Sequence, residues 1–201
     1  MYDELRDMIG SGERVLYEGK PNKKCFVFES IFNPLLPIAI LWAVFDSFFI
    51  GNSLRFGGGF GLFIMLFTLF HLMPVWIYLA GVVFSFRRYK NTSYIVTDHG
   101  VYVSSGIFTK NINCKPFAEL SEVNLHRGIF DQMFGVGDII LTTNQRGQKG
   151  QFLTVGINSI ESYQEVYQIV KKLQRDIYSD TMYPNDLRPR ENHGYKTKYM
   201  G

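Results

Sequence analysis

Two ionisable side chains stand in otherwise uncharged surroundings. Asp46 lies in IFNPLLPIAILWAVFDSFFI (31–50) and His71 in FGLFIMLFTLFHLMPVWIYLAGVVFSF (60–86). A carboxylate and an imidazole inside apolar helices are the residue types of a proton or ion relay, because leaving either unpaired in hydrocarbon costs several kcal/mol. Spacing argues against a direct pair. Folding the two segments about Arg55 sets Asp46 level with Ile64, seven residues short of His71, or ~10 Å at ~1.5 Å per residue. The expectation is therefore separate satisfaction: Asp46 near the outer interface, and His71 bonded to a carbonyl, to a hydroxyl such as Thr68, or to a second subunit.

Other chemistry-bearing residues are sparse. Asp98 and His99 are adjacent in a turn, where Asp98 is expected to bond its own backbone. His126 and Arg127 precede Gly128 at the end of a strand, as a solvated loop would, and His193 lies in the C-terminal tail. Cys25 and Cys114 are 89 positions apart, without the close pairing of a zinc or redox site. No Gly-x-Ser-x-Gly, His-Glu-x-x-His or phosphate loop ending in Lys-Ser/Thr is present. The sequence predicts no catalytic residue, metal, cofactor or small-molecule substrate. The expectation is a protein that is not an enzyme.

The elements that position these residues divide the chain by solvent. Between Ile31 and Phe86, a stretch of 56 residues, the only charged side chains are Asp46 and Arg55, although the whole chain carries 21 Lys and Arg and 18 Asp and Glu. Such a contrast excludes one soluble globule of uniform composition. Residues 31–50 and 60–86 are predicted to span a membrane as two helices, joined by an external glycine-rich loop over 51–59. Lys20, Lys23 and Lys24 precede the first span. Arg87, Arg88 and Lys90 follow the second, which puts both termini in the cytoplasm of a two-span cell-membrane protein. Pro74 falls mid-helix and should kink the second span. Lys23, Lys24, Arg87, Arg88 and Lys90 are candidates for contact with the membrane surface, where each basic residue contributes ~1 kcal/mol against an anionic leaflet. A formal net charge of +3, spread along the chain, does not form a nucleic-acid face.

The rest is β-rich. Residues 1–11 form a short N-terminal amphipathic segment. Residues 12–20 read as a first strand, with Glu13 to Gly19 alternating. Over 92–178, the runs 93–97, 101–104, 107–114, 117–123, 138–143 and 152–157 carry β-branched or aromatic residues between turn signals, so antiparallel pairing is expected. Asn158 or Ser159 should cap a final helix in a capping box with Glu161. Tyr163, Val166, Tyr167, Val170, Leu173 and Ile177 recur on one face of it. Residues 179–201, polar and aperiodic, are expected to be disordered.

These residues resemble a known family. Tyr94-Ile-Val-Thr97-Asp98, the run Gly100 to Phe108, Leu120 to Asn124, Phe130 to Asp138 (FDQMFGVGD) and a helix after Ile157 look like the bacterial pleckstrin-homology-like (PH) domain of small membrane proteins. So does the leading Gly12-Glu13-Arg-Val-Leu-Tyr-Glu-Gly19 before two spans. The resemblance covers roughly residues 12 to 175. It implies a membrane α-helical hairpin plus a mainly-β PH-like domain, with bent antiparallel sheets or a barrel capped by a C-terminal α-helix, on the cytoplasmic side. The turns Asp98-His99-Gly100 and Ser105-Gly106 carry no basic cluster of the phosphoinositide-binding type. The functional expectation is a non-enzymatic binding or scaffolding module at the cytoplasmic membrane face, with the lipid bilayer and a protein partner or a second copy as partners. The alternative is a small transport or channel component using Asp46 and His71.

Overall fold

The computed structural model describes residues 3–56, 58–147 and 150–182. The chain divides into two compact units, one formed by Met1–Cys25 and Asn91–Gly201, the other by Phe26–Lys90.

In the first unit, β1 (Val15–Gly19), β2 (Ser93–Thr97), β3 (Gly100–Ser105) and β4 (Asn111–Pro116) form one antiparallel sheet in that order. β5 (Leu120–His126), β6 (Gly137–Arg146) and β7 (Phe152–Ile160) form a second. β1 pairs with β2 through Tyr17↔Val96 and Gly19↔Tyr94. The apolar segment is thus inserted between two neighbouring strands of one sheet. The run expected at 107–114 begins pairing only at Asn111. Residues 117–123 split into a 3-10 turn, Phe117–Glu119, and the start of β5.

Alternation explains the packing. Tyr94, Val96, Val101 and Val103 from the first sheet meet Val123, Ile139, Leu141 and Ile157 from the second in one buried core. Ile95 and Tyr102, facing the other way, would be exposed but for α1 (Asp3–Arg6). Its Leu5 is 0% exposed and packs on them beside Ile9 and Ile112. β2 is therefore buried on both faces and reads as a continuous apolar run. The last helix, α7 (Tyr163–Met182), lays Val166 and Val170 into the core, flanked by Tyr163, Tyr167, Leu173 and Ile177.

Its start differs from the expected cap. Asn158 and Ser159 belong to β7, Ser159 has φ 53°, and Asn22 donates to Glu161 Oε1 at 2.8 Å while its own backbone NH donates to Ser159 O at 2.6 Å. A partner over a hundred residues away takes Glu161 out of the capping box. α7 also runs past the boundary expected at 178, and residues 183–201 of the tail lie outside the described residues.

The second unit is helical, with α2 (Lys23–Ile31) leading into it. α3 (Leu35–Phe56), α4 (Gly58–His71) and α5 (Met73–Asn91) follow. Asn33 Oδ1 accepts from Leu35 N at 2.8 Å and caps α3, so the helix starts four residues later than the expected span at 31–50. The loop expected over 51–59 is corrected. α3 continues to Phe56 and α4 begins at Gly58, because chain flanked by apolar residues satisfies its backbone groups best by remaining helical. The segment 60–86 is not one straight helix either. α4 ends at His71, just ahead of Pro74, and α5 departs at 47°. By length and composition Leu35–Ser53 is long and apolar enough to cross a membrane, and the bent pair Gly58–His71 plus Met73–Asn91 passes only when taken together.

Candidate functional site

Within the helical unit the two ionisable residues meet. His71 Nδ1 lies 2.8 Å from Asp46 Oδ1. The separation expected from the sequence is wrong because α3 runs on to Phe56 and α4 begins at Gly58, which sets the midpoint of the hairpin two residues beyond Arg55. Moving the turn by two residues moves the register by four, so Asp46 comes level with Thr68, one helical turn from His71, a gap that the two side chains close. Thr68 is no partner for the imidazole, since its hydroxyl donates to Ile64 O at 2.8 Å.

The surroundings of the pair are aromatic. Trp42 stacks on the His71 ring with centroids 5.3 Å apart, Phe67 stacks at 5.5 Å, and Phe45 tilts over it at 5.8 Å. Trp42 Nε1 also donates to His71 O at 2.9 Å, using a carbonyl that the break before α5 leaves without a helical partner. The side chain of Asp46 is 2% accessible and that of His71 29%. Asp46 Oδ2 is buried with no hydrogen-bond partner among the described residues. The contact is made through Nδ1, which leaves Nε2 as the second nitrogen of a ring whose orientation the carboxylate sets. The pair can hold α3 against α4, or hold and pass a proton.

The basic candidates sit at the ends of the apolar helices. Lys23 and Lys24 are the exposed first residues of α2. Arg88 and Lys90 are exposed on the last turn of α5, and Arg87 is exposed just ahead of it. Arg88 covers the Phe26 ring at 5.1 Å, and Tyr78 donates to Ile31 O at 3.0 Å, so α5 lies against the start of the apolar chain at both points.

Sequence reasoning missed two polar clusters in the β-rich unit. In the first, Thr97 and Tyr102 hydroxyls donate to the two oxygens of Glu13, at 2.7 and 2.9 Å, tying the segment that leads into β1 to β2 and β3. Cys114 is directly opposite Tyr102. Burial, then its neighbours Cys114 and Glu13, pushes the Tyr102 phenol above its usual range, and burial raises the Cys114 thiol. A thiol held protonated is a poor nucleophile. Nearby, burial raises Asp98, but the Arg14 backbone NH and the His99 ring, 2.9 Å away, outweigh it and leave the carboxyl below its usual value. Asp98 thus bonds the backbone of Arg14 as well as its neighbour.

The second cluster explains the FDQMFGVGD run. Asp131 is 1% exposed and opens α6 (Ile129–Phe134) by accepting from Gly128 N at 2.8 Å, while the Cys25 thiol donates to its other oxygen at 3.5 Å. Gly135, φ 69°, ends α6 in the left-handed region that glycine tolerates. Gly137 is required by close approach, since a Cβ there would lie 2.9 Å from Tyr163 Cγ. Asp138 accepts from Ser159 N at 2.6 Å. The motif is architectural. It ties α6, β6, β7 and Cys25 together, and His126 flanks it at the end of β5.

Burial raises the Asp138 pKa, with Asp131 adding to it and the Ser159 NH opposing. A raised folded-state value makes ionisation costly: stability should fall as pH rises from the ordinary aspartate range, ~3.9, through the folded value, and stay lower at neutral pH. Asp138→Asn keeps the Ser159 acceptor and should flatten that fall. Melting temperature against pH reads it, and an unchanged profile would contradict the placement.

Comparison with known families supplies the deciding observation: the model of the bacterial PH domain matches residues 32–174, well over half of the chain. The chain belongs to the bacterial PH domain family. The match starts within the apolar unit and leaves β1 of this PH unit outside it, although β1 completes the first sheet. No curated protein and no solved structure matches.

Proposed function

We propose that this bacterial PH protein is a membrane-anchored, non-enzymatic binding module whose β-rich unit engages a protein partner, or a second copy, at the cytoplasmic face. The observation that carries the anchoring is the surface of the helical unit. Leu41 is 67% exposed, Phe48 70%, Phe63 65% and Phe70 80%. Water does not tolerate contiguous apolar surface of this kind, whereas lipid does. Basic residues at Lys23, Lys24, Arg87, Arg88 and Lys90, against Arg55 alone near the turn, favour both termini in the cytoplasm. Both polar clusters are engaged in holding the fold, which supports binding over catalysis. The test is affinity capture and crosslinking of the full chain in mild detergent. A recovered partner or a crosslinked dimer is expected, and a monomer that captures nothing would contradict the proposal.

The Asp46–His71 contact favours a second reading, transport or proton conduction through the helical unit. Asp46→Asn and His71→Ala in a vesicle flux assay decide it. Loss of flux in both supports transport, and the same flux in both variants removes it.

A further inference from the structure

The two places where the chain passes between the β-rich unit and the apolar helices are each flanked by exposed apolar side chains of the β-rich unit. At the first, Cys25, the residue before the apolar unit begins, holds Asp131 of α6 at 3.5 Å. That six-residue helix presents Ile129, 83% exposed, and Met133, 59% exposed, four positions apart on one face. Its one acidic residue, Asp131, is turned inward and buried, so the outward face carries no charge. At the second, Asn91, the last residue of α5, donates from Nδ2 to Gly106 O at 3.1 Å and to Ile107 O at 3.4 Å, and Ser104 Oγ donates to Asn91 O at 3.1 Å. The turn so held carries Phe108, 73% exposed. Gly106 has φ 146°, and a Cβ there would collide with Thr109 O, so the turn is tight and its tip fixed.

We propose that Phe108, Ile129 and Met133 insert into the headgroup and acyl boundary of the same bilayer that holds the helices, with Lys23, Lys24, Arg87, Arg88 and Lys90 on its anionic headgroups. The inference rests on the anchoring reading above. Two features commit it to lipid: both crossings lead within a few residues of chain into the exposed apolar run of the helical unit, Phe32 to Phe86, and basic side chains are exposed at both. Apolar side chains together with Lys and Arg are what an interfacial contact with anionic lipid requires. The β-rich unit is then docked as well as tethered, and the binding surface it offers a partner is the one left facing the cytoplasm.

The test places an environment-sensitive fluorophore on the full chain in phosphatidylglycerol-containing nanodiscs. Phe108→Cys, Met133→Cys, Phe70→Cys and Asn144→Cys are labelled one at a time in a Cys114→Ser background, with buried Cys25 left in place. Labels at 108 and 133 should shift to the blue and be quenched by lipid-borne nitroxide, more so than the label at Asn144, an exposed position of β6. Quenching at 70 but not at 108 or 133 overturns the insertion and leaves the anchor standing. Absence of quenching at 70 overturns the anchor and the insertion with it. Equal quenching at 144 overturns the insertion as a property of these three residues.

Discussion

Phe117→Ala is expected to lower the stability of the PH unit by ~3–5 kcal/mol, the range for deleting a fully buried aromatic ring. Phe117 is 1% exposed and sits in the 3-10 turn that carries the chain from the first sheet to the second. Its NH donates to His99 O at 3.0 Å and its ring belongs to the core shared with Val166 and Val170 of α7. Truncation opens a void where both sheets and the helix converge, so no single element can move to fill it. For a unit of this size the melting temperature should fall by roughly 10–25 °C. Phe117→Leu, which keeps most of the volume, should recover the larger part. Denaturant melts of the full chain in detergent measure both. A loss within ~1 kcal/mol for the alanine variant, the level of an ordinary substitution, would contradict this position.

The Asp46–His71 pair should show a coupling of about 0.5–1.5 kcal/mol in a double-mutant cycle, the range for hydrogen bonds between helices in apolar surroundings. The two single changes should be unequal. His71→Ala strands a carboxylate that is 2% accessible and already has one oxygen without a partner. Asp46→Ala strands an imidazole that is 29% accessible and so less completely enclosed than the carboxylate. His71→Ala is therefore expected to be the more damaging, and the double variant Asp46→Ala with His71→Ala milder than the two losses added. Thermal unfolding in detergent reads the cycle. Simple additivity would mean that the 2.8 Å contact holds nothing.

The β-rich unit was readable in the sequence because its order is local. Runs of β-branched and aromatic residues with turn residues between them marked most strands, and the three-and-four spacing of Val166, Tyr167, Val170 and Leu173 marked the buried stripe of α7. Long-range choices were not readable. Glu161 looked like a capping residue until Asn22 claimed it, and Ser159 was drawn into β7. Ile95 looked no different from Val96, yet it faces the opposite way and needs Leu5 of α1 to cover it. In the helical unit the composition was clear and the register was not. Each residue by which a tight turn shifts changes the facing partner by two, so placing the turn at Arg55 rather than beyond Phe56 separated Asp46 from the histidine it touches. Pro74 marked the bend, but α2 went unseen, since nine residues of mixed polarity at 23–31 carry too little periodicity.

Sided labelling in intact bacterial cells tests the central claim most directly, that apolar helices anchor the PH unit on the cytoplasmic face. Gly59→Cys, at an exposed position of α4 with nothing within 4 Å of its Cβ, and Asn144→Cys, exposed on β6, are each placed in the Cys114→Ser background. A membrane-impermeant maleimide should label 59 in intact cells and 144 only after permeabilisation, with both variants sedimenting in the membrane fraction. Labelling of both positions in intact cells, labelling of 144 alone, or recovery of the protein in the soluble fraction would contradict the account.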